Sequence, residues 1–174
     1  MLKLIVLAVF VLLAIVLVYA AARPDTIHVE RSIDIKASPE KIFGLINDFR
    51  QWNDWTPYNK DPAMKKMYSG SASGKGAMYA WEGNKEVGQG EISITGSTPS
   101  SEVALELHMI KPFEGRNSVV FSLSRAGDST RVTWSLNGKQ NFISKLMGLI
   151  FNMDKMIGGD FEVGLARLKT AAER

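Results

Sequence analysis

The chain contains no cysteine. Disulfides, thiolate metal ligands and cysteine nucleophiles are therefore excluded, whatever the compartment. Histidine is nearly as scarce. His28 and His108 are the only two, and neither has an acid or a second histidine at ligand spacing, so no metal site is expected. A Gly-x-Ser-x-Gly nucleophile elbow is missing. Gly88-Gln89-Gly90 begins like a dinucleotide fingerprint, but Ser93 stands where the third glycine is needed. Lys75, in the stretch Gly70 to Gly76, has no Ser or Thr after it and the wrong spacing for a phosphate loop. No cofactor is expected.

Charge of one sign is also in short supply. The formal net charge is +3, from 21 Lys and Arg against 18 Asp and Glu. Setting aside Lys3 and Arg23, which flank the apolar N-terminus, leaves 19 basic residues against 18 acidic ones. The remainder is almost neutral and offers nucleic acid no basic footprint.

What the chain does have is one long apolar run. Leu4 to Ala22 is 19 residues with no charge. As a helix it would be about 28 Å long, close to the hydrocarbon thickness of a bilayer. Lys3 precedes it, Arg23-Pro24 ends it, and Tyr19 lies near one end, where interfacial aromatics are favoured. The preferred reading is an uncleaved single-pass anchor. The alternative is a signal peptide cut after Ala22, since Ala20-Ala21-Ala22 fits a small-x-small site. The run is longer than the usual signal core, which favours the anchor. Residues 1–23 are thus a transmembrane anchor or signal segment, and residues 24–174 a single domain. The expected location is the inner membrane of a bacterium, with the domain on the extracytoplasmic side.

The domain opens with alternation. Ile27, Val29, Ile33 and Ile35 share one face of a strand. Ser38-Pro39-Glu40 then has the form of a helix start, with Ile42, Leu45, Ile46 and Phe49 as its apolar stripe. A short second helix or turn covers Phe49 to Trp55. Six further strands are predicted over 63–69, 76–83, 86–96, 102–111, 116–125 and 129–138, separated by glycine-rich turns that imply an antiparallel meander. From about Phe142 to Ala172 apolar residues recur at helical spacing, with a kink or two abutting helices predicted at Gly158-Gly159. The fold class is α+β: a seven-stranded curved antiparallel sheet, two short helices and a long C-terminal helix covering the apolar face. A cavity is expected where sheet and helix part.

Large apolar side chains that could line such a cavity are Trp52, Trp55, Trp81, Phe113, Phe121, Trp134, Met147, Phe151 and Met156. Aromatic rings bring bulk, and thioethers bring adaptability. Ordinary core packing is the preferred reading of any single one of them. Glu82, Arg116, Asp154 and Asp160 are polar candidates for a cavity mouth, where they could orient a headgroup or act as acid or base. A solvated surface role is the simpler account of each. No catalytic residue is assigned.

Several segments carry a family resemblance. They are Val29-Glu30-Arg31-Ser32-Ile33 with Ala37-Ser38-Pro39-Glu40-Lys41-Ile42-Phe43, then Asn47-Asp48-Phe49-Arg50-Gln51-Trp52-Asn53-Asp54-Trp55-Thr56-Pro57. Tyr79-Ala80-Trp81-Glu82-Gly83-Asn84, Lys111-Pro112-Phe113-Glu114-Gly115 and Thr130-Arg131-Val132-Thr133-Trp134 follow. The last runs from Lys145-Leu146-Met147-Gly148-Leu149 to Asp160-Phe161. Over residues 26–172 the chain resembles the SRPBCC superfamily, also called START-like or Bet v 1-like, and in particular its bacterial polyketide cyclase/dehydrase and lipid-transport group. The resemblance implies a helix-grip fold and a hydrophobic ligand. Members often carry an N-terminal apolar segment, which supports the anchor. The superfamily spans lipid carriers, aromatase/cyclases, hydroxynitrile-type binders and chaperone activators, so the resemblance implies no shared catalytic set.

The expected function is membrane-tethered binding, with transport as an extension, of a lipid or other hydrophobic small molecule between the sheet and the C-terminal helix. The expected partners are that molecule and the membrane, not nucleic acid. A non-catalytic role is preferred. The alternatives are a polyketide cyclase/dehydrase-like enzyme and a protein-interaction module of the cell envelope.

Overall fold

The structure is a computed structural model describing residues 1–174. Helix α1 (Leu2–Ala21) is exposed along almost its whole length, with only Ala20 buried. It is long and apolar enough to cross a membrane. The domain follows as β1 (Thr26–Ile35), α2 (Pro39–Asn47), a 3₁₀ turn over Gln51–Asp54, then β2 (Lys65–Gly70), β3 (Ala77–Glu82), β4 (Gln89–Thr98), β5 (Glu102–Lys111), β6 (Gly115–Ala126) and β7 (Ser129–Lys139). Helices α3 (Phe142–Ile150) and α4 (Met153–Ala172) close the chain.

All seven strands form one antiparallel sheet in the order β1-β7-β6-β5-β4-β3-β2. Five successive hairpins build it from β2 to β7, and β1 then pairs along β7. Helix α2 and the 3₁₀ turn carry the chain from one edge of the sheet to the other. Ser38 caps α2, accepting the Lys41 amide at 3.3 Å, with Pro39 at the first helical position. The expected helix-grip architecture is present.

Strand β4 starts later than the predicted 86–96. The Asn84 side chain accepts the amides of Glu86 and Val87, turning those residues out of the ladder. Gly88 follows at a φ of 65°, conformational territory that favours glycine. Gly90 is pressed beneath the Trp81 indole, where a Cβ would come within 2.6 Å of the ring. The glycines that suggest a dinucleotide motif therefore serve a turn and a close packing contact.

The larger difference lies in the C-terminal helix. The break falls at Phe151-Asn152, not at Gly158-Gly159, and α4 runs straight through the glycine pair. Two asparagines decide this. Asn141 caps α3 by accepting the Ser144 amide at 2.8 Å, and Asn152 caps α4 by accepting the Lys155 amide at 2.9 Å. Gly158 has a packing role: the Arg31 guanidinium lies where its Cβ would be, within 2.1 Å.

The core sits between the inner face of the sheet, α2 and α4. One cross-strand row on that face runs Arg31, Trp134, Phe121, Val103 through β1, β7, β6 and β5. Phe161, Leu165, Leu168 and Ala172 of α4 are buried against the sheet. Gly164 lets α4 approach, because a Cβ there would meet the Trp134 ring at 2.7 Å and Pro57 at 3.0 Å. Gly159 faces open space. Gly164→Ala is expected to cost about 1–3 kcal/mol by overpacking. Gly159→Ala is expected to gain up to about 1 kcal/mol of helix propensity. Chemical denaturation of the two variants checks the pair, and equal effects would contradict the seating of α4 on Trp134.

Candidate functional site

The space between sheet and α4 is filled with rings. Trp134 stacks on Phe161 with centroids 4.1 Å apart and planes 10° apart. Phe121 lies 4.8 Å from Trp134, and Trp55 lies 5.9 Å from both. Trp52 extends the cluster, 5.0 Å from Trp55 and 5.0 Å from Phe49. Edge-to-face contacts dominate, the arrangement the ring quadrupoles favour. Two pockets lie elsewhere. One, of about 70 Å³, is bounded by Phe49, Tyr68, Ala77 and Met78. The other, of about 270 Å³, is a polar cleft between the Lys36–Pro39 segment and the β6–β7 hairpin.

The indole N–H groups separate the tryptophans. Trp52 donates to the Ile46 carbonyl at 2.8 Å, Trp55 to Leu45 at 3.0 Å, and Trp81 to Val87 at 3.1 Å. The first two satisfy carbonyls in the last turns of α2, which the helix itself leaves free. Trp134 differs. Its residue is 3% exposed, and its Nε1 has no partner. It is the single buried side-chain polar atom left unsatisfied, and such a donor costs about 1–3 kcal/mol.

The apolar candidates thus divide. Trp52, Trp55, Phe121 and Trp134 come together in the buried cluster. Trp81 is half-buried on β3, stacked on Tyr79. Phe113 is exposed in the β5–β6 hairpin. Met147 is half-buried on α3, while Phe151 and Met156 are exposed at the α3–α4 joint.

The polar candidates do not converge. Glu82 faces Lys65 at 3.7 Å, Arg116 faces Glu106 at 2.6 Å, and Asp160 faces Lys60 at 3.1 Å. Asp154 pairs with Arg31 at 3.0 Å. Each is engaged by a different partner.

Arg31 and Lys145 matter more than their sequence context suggests. Arg31 occupies an inward position in the alternation of β1, a signal visible in the sequence as one charge among apolar neighbours. From there it reaches both Asp154 and Glu162 of α4, at 3.0 and 2.8 Å. Lys145 is buried on α3, ion-paired with Asp25 and donating to the Ala21 carbonyl at 3.3 Å. Arg23 donates to the Gly148 carbonyl at 2.7 Å. These bonds tie α3 to the end of α1.

Set beside known proteins, the whole domain finds its relatives. The sequence pattern of the polyketide cyclase/dehydrase and lipid transport family matches residues 26–173. The chain belongs to that family. No match was found among curated proteins. Solved structures agree on the fold. A Chromobacterium violaceum protein aligns at a TM-score of 0.61 with 13% identity, over 87% of this chain and 99% of its own. The Aha1 dimer from Colwellia psychrerythraea gives 0.58 and 22%, over 84% and 96%. A START superfamily protein from Mycobacterium smegmatis gives 0.56 and 16%, over 84% and 97%. Membership in this polyketide cyclase/dehydrase and lipid transport family supports hydrophobic-ligand binding as the broad function.

Several ion pairs make the family fold acid-sensitive here. The Lys145 ammonium holds the Asp25 carboxyl below its ordinary value, Arg131 does the same for Asp34, and Arg31 for Asp154. A carboxyl whose folded pKa lies below its unfolded one stabilises the fold above the unfolded value. That contribution is lost as pH falls through the lowered folded value. The thermal midpoint is therefore expected to drop as pH falls below the unfolded aspartate value of 3.8. Arg31→Met, which frees Asp154, is expected to flatten that drop. Parallel pH curves for variant and parent would rule the Arg31 contribution out.

Proposed function

We propose that this protein is a membrane-tethered binder of an apolar molecule bearing a hydrogen-bond acceptor, held between the sheet and the C-terminal helices. The observation that carries the reading is the unpartnered Trp134 indole N–H inside an otherwise apolar cluster. A hydrocarbon body would replace ring contacts with similar contacts, and one carbonyl or hydroxyl oxygen would satisfy the donor. Family membership supports the ligand class. The apolar, exposed α1 supports the tether. Lys3 ahead of α1 favours a cytoplasmic N-terminus and so supports an extracytoplasmic domain.

Entry requires the aromatic cluster to open, and the joint between α3 and α4 is the place. No residue of α3 except Lys145 is buried, and α4 has no buried residue before Gly158. The ion pairs of Arg31 with Asp154 and Glu162 hold this end. Such pairs near solvent contribute little, because water screens them. Transport is the natural extension of a binder at a bilayer. A cyclase/dehydrase-like reaction would need a titratable group aimed at the ligand, and the polar candidates point to surface partners instead.

The reading is tested on residues 24–174 purified without detergent. Mass spectrometry is expected to find co-purified lipid, and a spin-labelled fatty acid is expected to quench tryptophan emission saturably. Trp134→Phe keeps an aromatic ring, though a smaller one, and removes the donor. It is expected to weaken binding of the acceptor-bearing probe by on the order of 2- to 10-fold, while leaving a plain hydrocarbon probe unaffected. Absence of saturable quenching by either probe would refute the proposal.

A further inference from the structure

Helix α3 carries an apolar surface that the domain does not use. On a helical projection Phe142, Ile143, Leu146, Met147, Leu149 and Ile150 share one arc of about 160°. None of the six is buried, and Ile143 and Ile150 are 59% and 74% exposed. A globular domain normally turns such a stripe to its core. In α3 the opposite arc is the one that makes the close contacts. Lys145 and Gly148, on that arc, meet Asp25, Ala21 and Arg23.

Those contacts fix the depth of α3. Ala21 is the last residue of α1, and Arg23 is the first charge beyond the apolar run. A helix bonded to both therefore lies at the level where α1 leaves the hydrocarbon. The sheet agrees on which end faces that level. Thr26 opposes Lys139, Asn117 opposes Gly138, and Met109 opposes Gly115. The β5–β6 hairpin with Phe113 at its tip thus lies at the same end as the start of β1 and the entry to α3. Phe113 is 62% exposed.

We infer that α3 is an interfacial helix: its apolar arc lies in the headgroup–acyl boundary of the same bilayer that α1 spans, with Phe113 as a second contact. The inference rests on the tethered reading above. Its physical basis is continuity. The arc begins where the membrane segment ends, and amphipathic helices of this kind sink about 5–10 Å into the boundary. The consequence is that the α3–α4 joint opens toward lipid, not toward water.

Because the chain has no cysteine, single replacements in the full-length protein can be labelled cleanly. Ile143→Cys, Ile150→Cys and Phe113→Cys would carry an environment-sensitive fluorophore. Leu12→Cys would report the middle of α1, and Asp128→Cys the β6–β7 hairpin at the opposite end of the sheet. The protein is reconstituted in phosphatidylcholine vesicles with lipids spin-labelled near the glycerol or deep in the chain. Labels on α3 and at Phe113 are expected to show blue-shifted emission and strong loss of signal to the shallow quencher. Leu12 is expected to lose signal to the deep one, and Asp128 to neither. Quenching of Leu12 with α3 behaving like Asp128 overturns the interfacial helix and leaves the tether standing. Failure at Leu12 overturns both. Labels on α3 shielded from aqueous quencher but untouched by lipid quenchers would mean a protein partner covers the arc, which also overturns the inference.

Discussion

The contact between Trp134 and Phe161 is the constraint on which the domain is organised. A sheet with one apolar face needs a cover, and α4 is the element that supplies it over β1 and β7. Trp134 lies at the centre of the cross-strand row, so its ring meets Phe161 from above and Phe121 and Trp55 from the sides. Gly164 leaves room for that ring, since a Cβ there would come within 2.7 Å of it. Each fully buried side chain of the size of Phe161, Leu165 or Leu168 contributes about 1.5–3 kcal/mol. Burial is confined to Gly158 and beyond, so α4 is firmly held along its C-terminal part and loosely at its start. Local opening draws on the weakly held end of such an element. In this chain that end is the one joined to α3.

Much of this was legible in the sequence, and the reasons are physical. Alternation exposes strands directly, since a half-buried strand repeats every two residues. Ser38-Pro39-Glu40 announces α2 because a cap, a fixed φ and an acid near the helix N-terminus all act locally. The break in the C-terminal helix was misplaced because Gly158-Gly159 looks like a flaw until its partner is known. That partner is Arg31, distant in sequence, whose guanidinium takes the space of the missing Cβ. Asn152 sets the break by capping α4, a role that depends on its accepting the Lys155 amide.

The candidate site was less legible. Ring clustering of Trp52, Trp55, Phe121 and Trp134 follows from strand and helix phase, which sequence does supply. Whether an indole N–H finds a carbonyl does not follow. Ile46 and Leu45 lie close in sequence to Trp52 and Trp55, and the end of α2 offers them free carbonyls. Trp134 sits mid-strand, where neighbouring carbonyls are spent on the β1 and β6 ladders. Its lack of a partner is a property of the sheet as a whole. The inward phase of Arg31 is visible in the sequence, but its partners on α4 are not, since Asp154 and Glu162 reach it only once α4 is laid beside β1.

The orphan donor acquires more weight when the source of the ligand is considered. A molecule drawn from water into an apolar interior gains the full hydrophobic free energy, about 25 cal/mol for each Å² removed from solvent. A molecule drawn from a bilayer gains almost none of it, because lipid tails are as apolar as a protein core. Selectivity between lipids must then come from shape and from polar groups. Within the sheet–α4 interface, Trp134 Nε1 is the polar group without an internal partner. On the tethered reading proposed above, an entrance at α3 would face the bilayer and remove the hydrophobic effect as a discriminator, and the unsatisfied Trp134 donor would leave the position of one acceptor oxygen along an apolar body to do the discriminating.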